Sequence, residues 1–114
     1  MWEIEFTDQF GAWWQDLSVD EQEALDAAVM LLTEVGPGLG RPTVDTVTGS
    51  RHQNMKELRT SNLRTLFAFD PRRTAILLIG GDKTGQWNAW YAEMIPVADD
   101  LYDEHLTTLD EGLI

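Results

Sequence analysis

An α+β fold, with helices packed on one side of a mostly antiparallel sheet, is what three features of this 114-residue chain predict. Hydrophobic periodicity changes along the chain in the order β-α-α-β-β-β-α, and the last helical stretch is divided in two. Short turns join the three middle strands, which makes them an antiparallel meander. The first strand is separated from them by two helical stretches, so it joins their sheet across a helical pair. No internal repeat or composition break is visible, and residues 1–114 are expected to form one domain.

The elements follow in order. Trp2, Ile4 and Phe6 alternate with Glu3, Glu5 and Thr7, the pattern of a short strand with one buried face. Thr7-Asp8 can cap a first helix, in which Phe10, Trp13, Trp14 and Leu17 make one apolar stripe. Ser18-Val19-Asp20-Glu21 has the form of a capping box and starts a second helix. Its buried face is Leu25, Ala28, Val29 and Leu32, and Gly36-Pro37 ends it. Residues 36–50 show no periodicity and read as a loop of about 15 residues, a length that is commonly functional.

Arg51–Arg59 and Leu63–Phe69 read as strands joined by Thr60-Ser61-Asn62. Asp70-Pro71-Arg72-Arg73 is a turn with Asp and Pro at its favoured positions. Thr74–Ile79 is apolar on both faces and reads as a central, covered strand. Residues 80–85 read as a loop or tight turn. Gln86–Met94 is helical, Pro96 interrupts, and Val97–Leu109 continues as a second helical stretch.

Composition narrows the function. A 43% hydrophobic content with five Trp excludes a disordered chain, and the absence of Cys excludes disulfides, thiolate zinc sites and a cysteine nucleophile. No apolar run approaches the roughly 18 residues of a membrane span, and the N-terminus lacks the basic and apolar regions of a secretion signal. A cytoplasmic location, with no membrane partner, is the expectation. The net charge of −12, taken as a total, argues against nucleic acid. Its distribution does not. Residues 1–40 and 84–114 contain no Lys or Arg, and all eight lie between Arg41 and Lys83.

Within that cationic third, Arg59 and Arg64 flank a short turn and should oppose one another across a hairpin, with Cβ atoms about 5 Å apart. Two guanidinium groups so placed suit a phosphodiester, which they bind bidentately. The competing reading is that each Arg covers apolar surface or pairs with a carboxylate. Lys56 and Arg59 have opposite strand parity and share a face only across a bulge. Arg72 and Arg73 read first as turn residues. Lys83 follows a buried strand in a glycine-rich loop, where backbone can approach a ligand.

Four side chains are candidates for proton transfer: His52, His105, Tyr91 and Tyr102. His105 lies on an apolar helix face and reads as a packing residue. Trp87 and Trp90 could stack on bases, although their spacing with Met94 fits a core stripe better. Asp45, Glu57, Asp70 and Asp82 are isolated along the sequence, so neither metal nor another cofactor is expected. Asp99, Asp100, Asp103 and Glu104 read as a solvated helix face.

Four segments together resemble the RelE/HigB superfamily, and in particular its phage-derived HigB-like branch. They are Thr48-Gly49-Ser50-Arg51, Asn54–Arg59, Leu63–Pro71 and Leu77–Lys83, and the tail Ile95–Leu106 is similar as well. The resemblance implies a microbial-RNase or RelE-like fold and the toxin of a type II toxin–antitoxin system. It implies a metal-independent endoribonuclease that cuts mRNA on the ribosome through attack of the 2′-OH on the adjacent phosphate. It also implies a cognate helix-turn-helix antitoxin. Carried onto this chain, Arg59, Arg64 and Lys83 would neutralise phosphate charge, and Tyr91 would be the general acid or base. His52, Lys56, Arg72 and Arg73 would contact RNA.

Two other readings stand beside this one. The same basic segment could belong to a non-catalytic nucleic-acid-binding or regulatory module, one version of which makes Arg51–Arg64 a DNA recognition helix. Alternatively, the acidic helices could engage a protein partner.

Overall fold

The computed structural model describes residues 1–82, 85 and 87–112, with backbone alone at Trp87. Five strands form one sheet in the order β1-β5-β4-β3-β2, where β1 is Ile4–Phe6, β2 Val44–Thr46, β3 Lys56–Thr60, β4 Leu63–Phe69 and β5 Ala75–Asp82. Neighbours pair antiparallel except β1, which joins β5 in parallel after the chain has crossed two helices. Those helices are α1 (Asp8–Gln15) and α2 (Val19–Val35), and a third, α3 (Trp87–Asp110), follows β5. The α+β class and the late docking of β1 are as the periodicity predicts.

Local signals act where expected. The Thr7 hydroxyl accepts from the Phe10 amide at 3.0 Å and caps α1. Ser18 and Glu21 close a reciprocal capping box, with bonds of 2.9 and 3.1 Å. Leu25, Ala28 and Leu32 are the buried residues of α2.

The placement of the helices differs from the expectation of one-sided packing. Along β5, Ala75 and Leu77 pack into one core with Phe10, Leu25 and Leu32, beneath α1 and α2. Ile76 and Leu78 pack into a second core with Ile95, Ala98 and Tyr102 of α3. Successive strand side chains point to opposite faces, so the sheet is covered on both sides. The reason was already present in Thr74–Ile79, since a strand apolar on both faces needs cover on both. Burying each such Leu or Phe contributes roughly 1.5–3 kcal/mol, which makes two covered faces the stable solution.

Three further boundaries change. β2 lies inside the stretch read as a loop, too short to show alternation, and is held by pairing Val44 with Leu58. Residues 51–54 are turn, and β3 starts only at Lys56. α3 runs unbroken through Pro96, which removes one amide donor to the Ala92 carbonyl. Burial of Ile95, Ala98 and Tyr102 on the sheet outweighs that local loss.

Gly80 and Gly81 belong to β5 and to no ligand-binding loop. A Cβ on Gly80 would strike the Trp13 ring, and one on Gly81 would strike the Trp90 ring. The two tryptophans press on the strand from opposite faces. Gly-Gly is therefore a packing requirement, which a sequence read for phosphate loops does not distinguish.

Candidate functional site

The hairpin β3–β4 sets the site. Arg59 and Arg64 are directly opposed in its register, as are Glu57 and Leu66, while β2 places Asp45 opposite Glu57. Leu66 packs against α3, so Glu57, Arg59 and Arg64, which share its parity, face α3 as well. Lys56 shares the parity of Leu58 and sits on the α1/α2 side. Among the described residues the register shifts between β4 and β5, beside Leu66/Phe67, and β3 stays regular. Lys56 and Arg59 consequently stay on opposite faces.

Glu57 is the centre of the arrangement. Its side chain is buried, and it accepts the Tyr91 hydroxyl at 2.5 Å, Arg59 Nε at 2.9 Å and Arg59 Nη2 at 2.7 Å. Arg59 Nη2 also reaches Asp45 at 3.1 Å, and Arg41 reaches the same carboxylate at 3.1 Å. A cavity of about 330 Å³ opens here, lined by Asp45, Glu57, Arg59 and Tyr91 with Thr46–Thr48. Arg64 is buried and held by the Ser61 and Leu63 carbonyls, each at 2.8 Å. Its guanidinium lies beside the Tyr91 hydroxyl.

Charge follows from these contacts. Burial first, and the Glu57 carboxylate second, push the Tyr91 hydroxyl up to about 12, with Arg64 acting in the opposite direction. At neutral pH Tyr91 is thus a proton donor. Glu57 raises the Arg59 guanidinium above its ordinary value. The hydrogen bond from Arg41, with that from the Thr46 amide, holds Asp45 below the usual carboxylate range.

Other candidate residues lie apart. His52 Nε2 bonds Asp103 at 2.7 Å, twelve helical residues from Tyr91, or about 18 Å along α3. Arg72 bonds Asp70 at 2.9 Å and Glu5 at 3.0 Å, in the turn beyond the far end of β4. Arg73 stacks 4.5 Å from the Trp2 ring, at positive φ. His105 bonds buried Asp70 at 2.9 Å, the packing role expected of it. Trp90 and Met94 pack on the second core. Lys83 and the side chain of Trp87 lie outside the described residues.

Several expectations are corrected by this geometry. The cationic segment is not one bare patch, because Arg41, Arg51, Arg59 and Arg72 all pair with carboxylates. The acidic run on α3 is no idle solvated face. Asp99 is buried and accepts the Ser50 hydroxyl at 2.5 Å and the Arg51 amide at 3.0 Å, while Asp100 and Asp103 receive the Arg51 guanidinium. Arg51–Arg64 comprises a turn and two strand segments, which removes the recognition-helix reading. Asp45 and Glu57 are not isolated in space. Glu57 was missed as a site residue, although its strand parity with Arg59, two residues on, was a signal available in the sequence.

Comparison with known proteins places the fold and the family. Residues 12–103 match the family described as phage derived protein Gp49-like. Toxin HigB3 of Mycobacterium tuberculosis is 47% identical over 106 residues, covering 91% of this chain and 93% of its own length. Toxin HigB2 of the same organism is 48% identical over 109 residues, covering 91% of this chain; the chain spans only 54% of that relative. The archaeal RelE–RelB complex from Pyrococcus horikoshii superposes with a TM-score of 0.61 at 10% identity, covering 74% of this chain and 97% of that one, and so shares the fold. With a family match across most of its length and a HigB relative close to half identical, the chain belongs to the phage-derived Gp49-like, HigB-type branch of the RelE/HigB toxins.

Proposed function

We propose that this chain is the toxin of a type II toxin–antitoxin pair, acting in the cytoplasm as a metal-independent mRNA endoribonuclease on the ribosome. One observation carries the reading. Two opposed arginines, Arg59 and Arg64, flank the protonated Tyr91 hydroxyl, and Arg59 and Tyr91 line a cavity on one sheet face. The HigB names of its relatives support a toxin, and the RelE fold solved with RelB supports an antitoxin partner.

In the reaction the ribose 2′-oxygen bonds to phosphorus and loses its proton to water. The bond from phosphorus to the 5′-oxygen breaks, and that oxygen takes the Tyr91 proton. The products are a 2′,3′-cyclic phosphate and a 5′-hydroxyl end, and water returns a proton to Tyr91 through the cavity. Arg59 offers Nη1 toward phosphate while Nε and Nη2 stay on Glu57. Arg64, beside the Tyr91 hydroxyl, adds positive charge where the phosphorane develops negative charge, and Lys83, which lies outside the described residues, is assigned the same role. His52, Arg72 and Arg73 are not assigned to RNA, because their contacts are to Asp103, Asp70 and Trp2. The acidic outer helices repel free RNA, which favours a message already held by the ribosome.

Induced expression tests this reading. Wild type should arrest growth and leave mRNA cut at sites seen by primer extension. Arg64→Ala and Lys83→Ala should each relieve arrest, with Arg64→Ala costing about 10²–10³ in cleavage rate. A harmless wild type with intact mRNA rejects the function, and full toxicity in both variants rejects the site.

A further inference from the structure

β1 ends the sheet, and no strand pairs with its outer edge among the described residues. The Ala75 amide donates to the Glu3 carbonyl and the Thr7 amide to the Leu77 carbonyl, so odd-numbered backbone groups face β5. The N–H and C=O groups of Ile4 and Phe6 therefore face outward. Phe6 itself is 64% exposed, which is unusual for an aromatic side chain beside an open edge. It lines two cavities, one on each side of the sheet. The first, about 300 Å³, is apolar and is formed by Phe6, Phe10, Trp14, Val29 and Leu77 with Asp26 at its rim. The second, about 400 Å³, is polar and contains Glu5, Asp8, Glu104 and His105. Neither is lined by a lysine or arginine among the described residues. Glu5 is already engaged by Arg72, which leaves Asp8 and Glu104 to define the second cavity's charge.

We infer that the β1 edge receives an extended segment of the antitoxin, in which bulky apolar residues alternate with Lys or Arg. Side chains of an added strand point alternately to the two faces. One set enters the apolar cavity beneath α1 and α2. The other reaches Asp8 and Glu104 on the α3 side. The inference rests on the toxin reading for the identity of the partner. It goes beyond that reading by separating the docking edge from the Arg59 site, so the bound partner pairs with β1 and leaves the Arg59 cavity uncovered by this contact.

The probe is the purified full-length protein encoded by the adjacent gene, titrated calorimetrically into this chain. Phe6→Pro removes the outward-facing amide donor together with the ring that lines both cavities, and should weaken binding about tenfold or more at unchanged helical signal. Asp8→Lys with Glu104→Lys should weaken it comparably and keeps the test alive if the proline variant misfolds. Arg59→Ala should bind like wild type. No complex with wild type, wild-type affinity in both edge variants, or loss confined to Arg59→Ala overturns the inference. A concentration-dependent dimer of this chain that Phe6→Pro abolishes also overturns it, since the edge then serves a second copy. Growth separates the two readings. Phe6→Pro should still arrest cells and escape rescue by the co-expressed partner, whereas a wild type that arrests nothing rejects the toxin reading and leaves the titration to judge the edge.

Discussion

α3 closes over two constellations built to one plan, fourteen residues apart along the helix. In the first, Glu57 accepts from Arg59, two residues on, and from Tyr91 of α3. In the second, Asp70 accepts from Arg72, again two residues on, and from His105 of α3. The surroundings differ. Asp70 also accepts the backbone amides of Arg72 and Thr74, at 2.9 and 3.1 Å, and its side chain is wholly inaccessible. Among the described residues Glu57 accepts side chains only, and it borders a cavity beside an Arg59 that is a third exposed. A carboxylate, a guanidinium and a proton-bearing ring thus make a turn lock when backbone donors saturate the acid. With a mouth open to solvent they line the cavity proposed as the reaction site.

The largest expected effect tests the lock. Asp70→Ala leaves Arg72 and His105 without their acceptor and should cost about 3–5 kcal/mol in urea unfolding. Glu57→Gln keeps a hydrogen-bonding group and should cost only about 1 kcal/mol. Comparable losses for the two would erase the distinction drawn between them.

Next in size, Tyr91→Phe should lower cleavage about 10²-fold with stability within about 1 kcal/mol of wild type. His105→Gln should do the reverse, with lost stability and unchanged cleavage per folded molecule.

Titration offers a finer measure. The absorbance difference between wild type and Tyr91→Phe should show a phenol ionising near 12 rather than 10, and Glu57→Gln should bring it down. A raised folded value means the Tyr91 contribution to stability is complete below about pH 10 and disappears as pH rises toward 12. Asp70 behaves oppositely. Burial pushes it up, but hydrogen bonds from His105, Arg72 and Thr74 outweigh that and hold it below its ordinary 3.8. Its contribution is present above that value and is lost as pH falls through the lower folded one, so the acid limb of a stability profile should flatten in Asp70→Asn.

What could be read from the sequence was whatever local chemistry dictates. Ser18–Glu21 announced a capping box because both bonds are made within four residues. The opposition of Arg59 and Arg64 followed from the length of one turn. The Glu57–Tyr91 bond could not be read that way, because it depends on how α3 lies across the sheet, 34 residues later in the chain. Charge segregation misled for the same reason. Carboxylates far away in sequence, Glu5 and the α3 aspartates, fold back onto Arg72 and Arg51. β2 escaped notice because three residues carry no period.

The tight seat of Trp90 against Gly81 makes the proposed Tyr91 site vulnerable to a single methyl group. Trp90 packs edge-on to Tyr91, with ring centroids 5.1 Å apart, and its indole occupies the volume that an alanine at position 81 would need. Enlarging a strand residue that carries no functional group would displace the indole, and with it the phenol beside it. Loss of activity at Gly81 would then look like loss of a ligand contact while arising from steric transmission through one ring. Screens that score substitutions by proximity to reacting groups would rank this position too low.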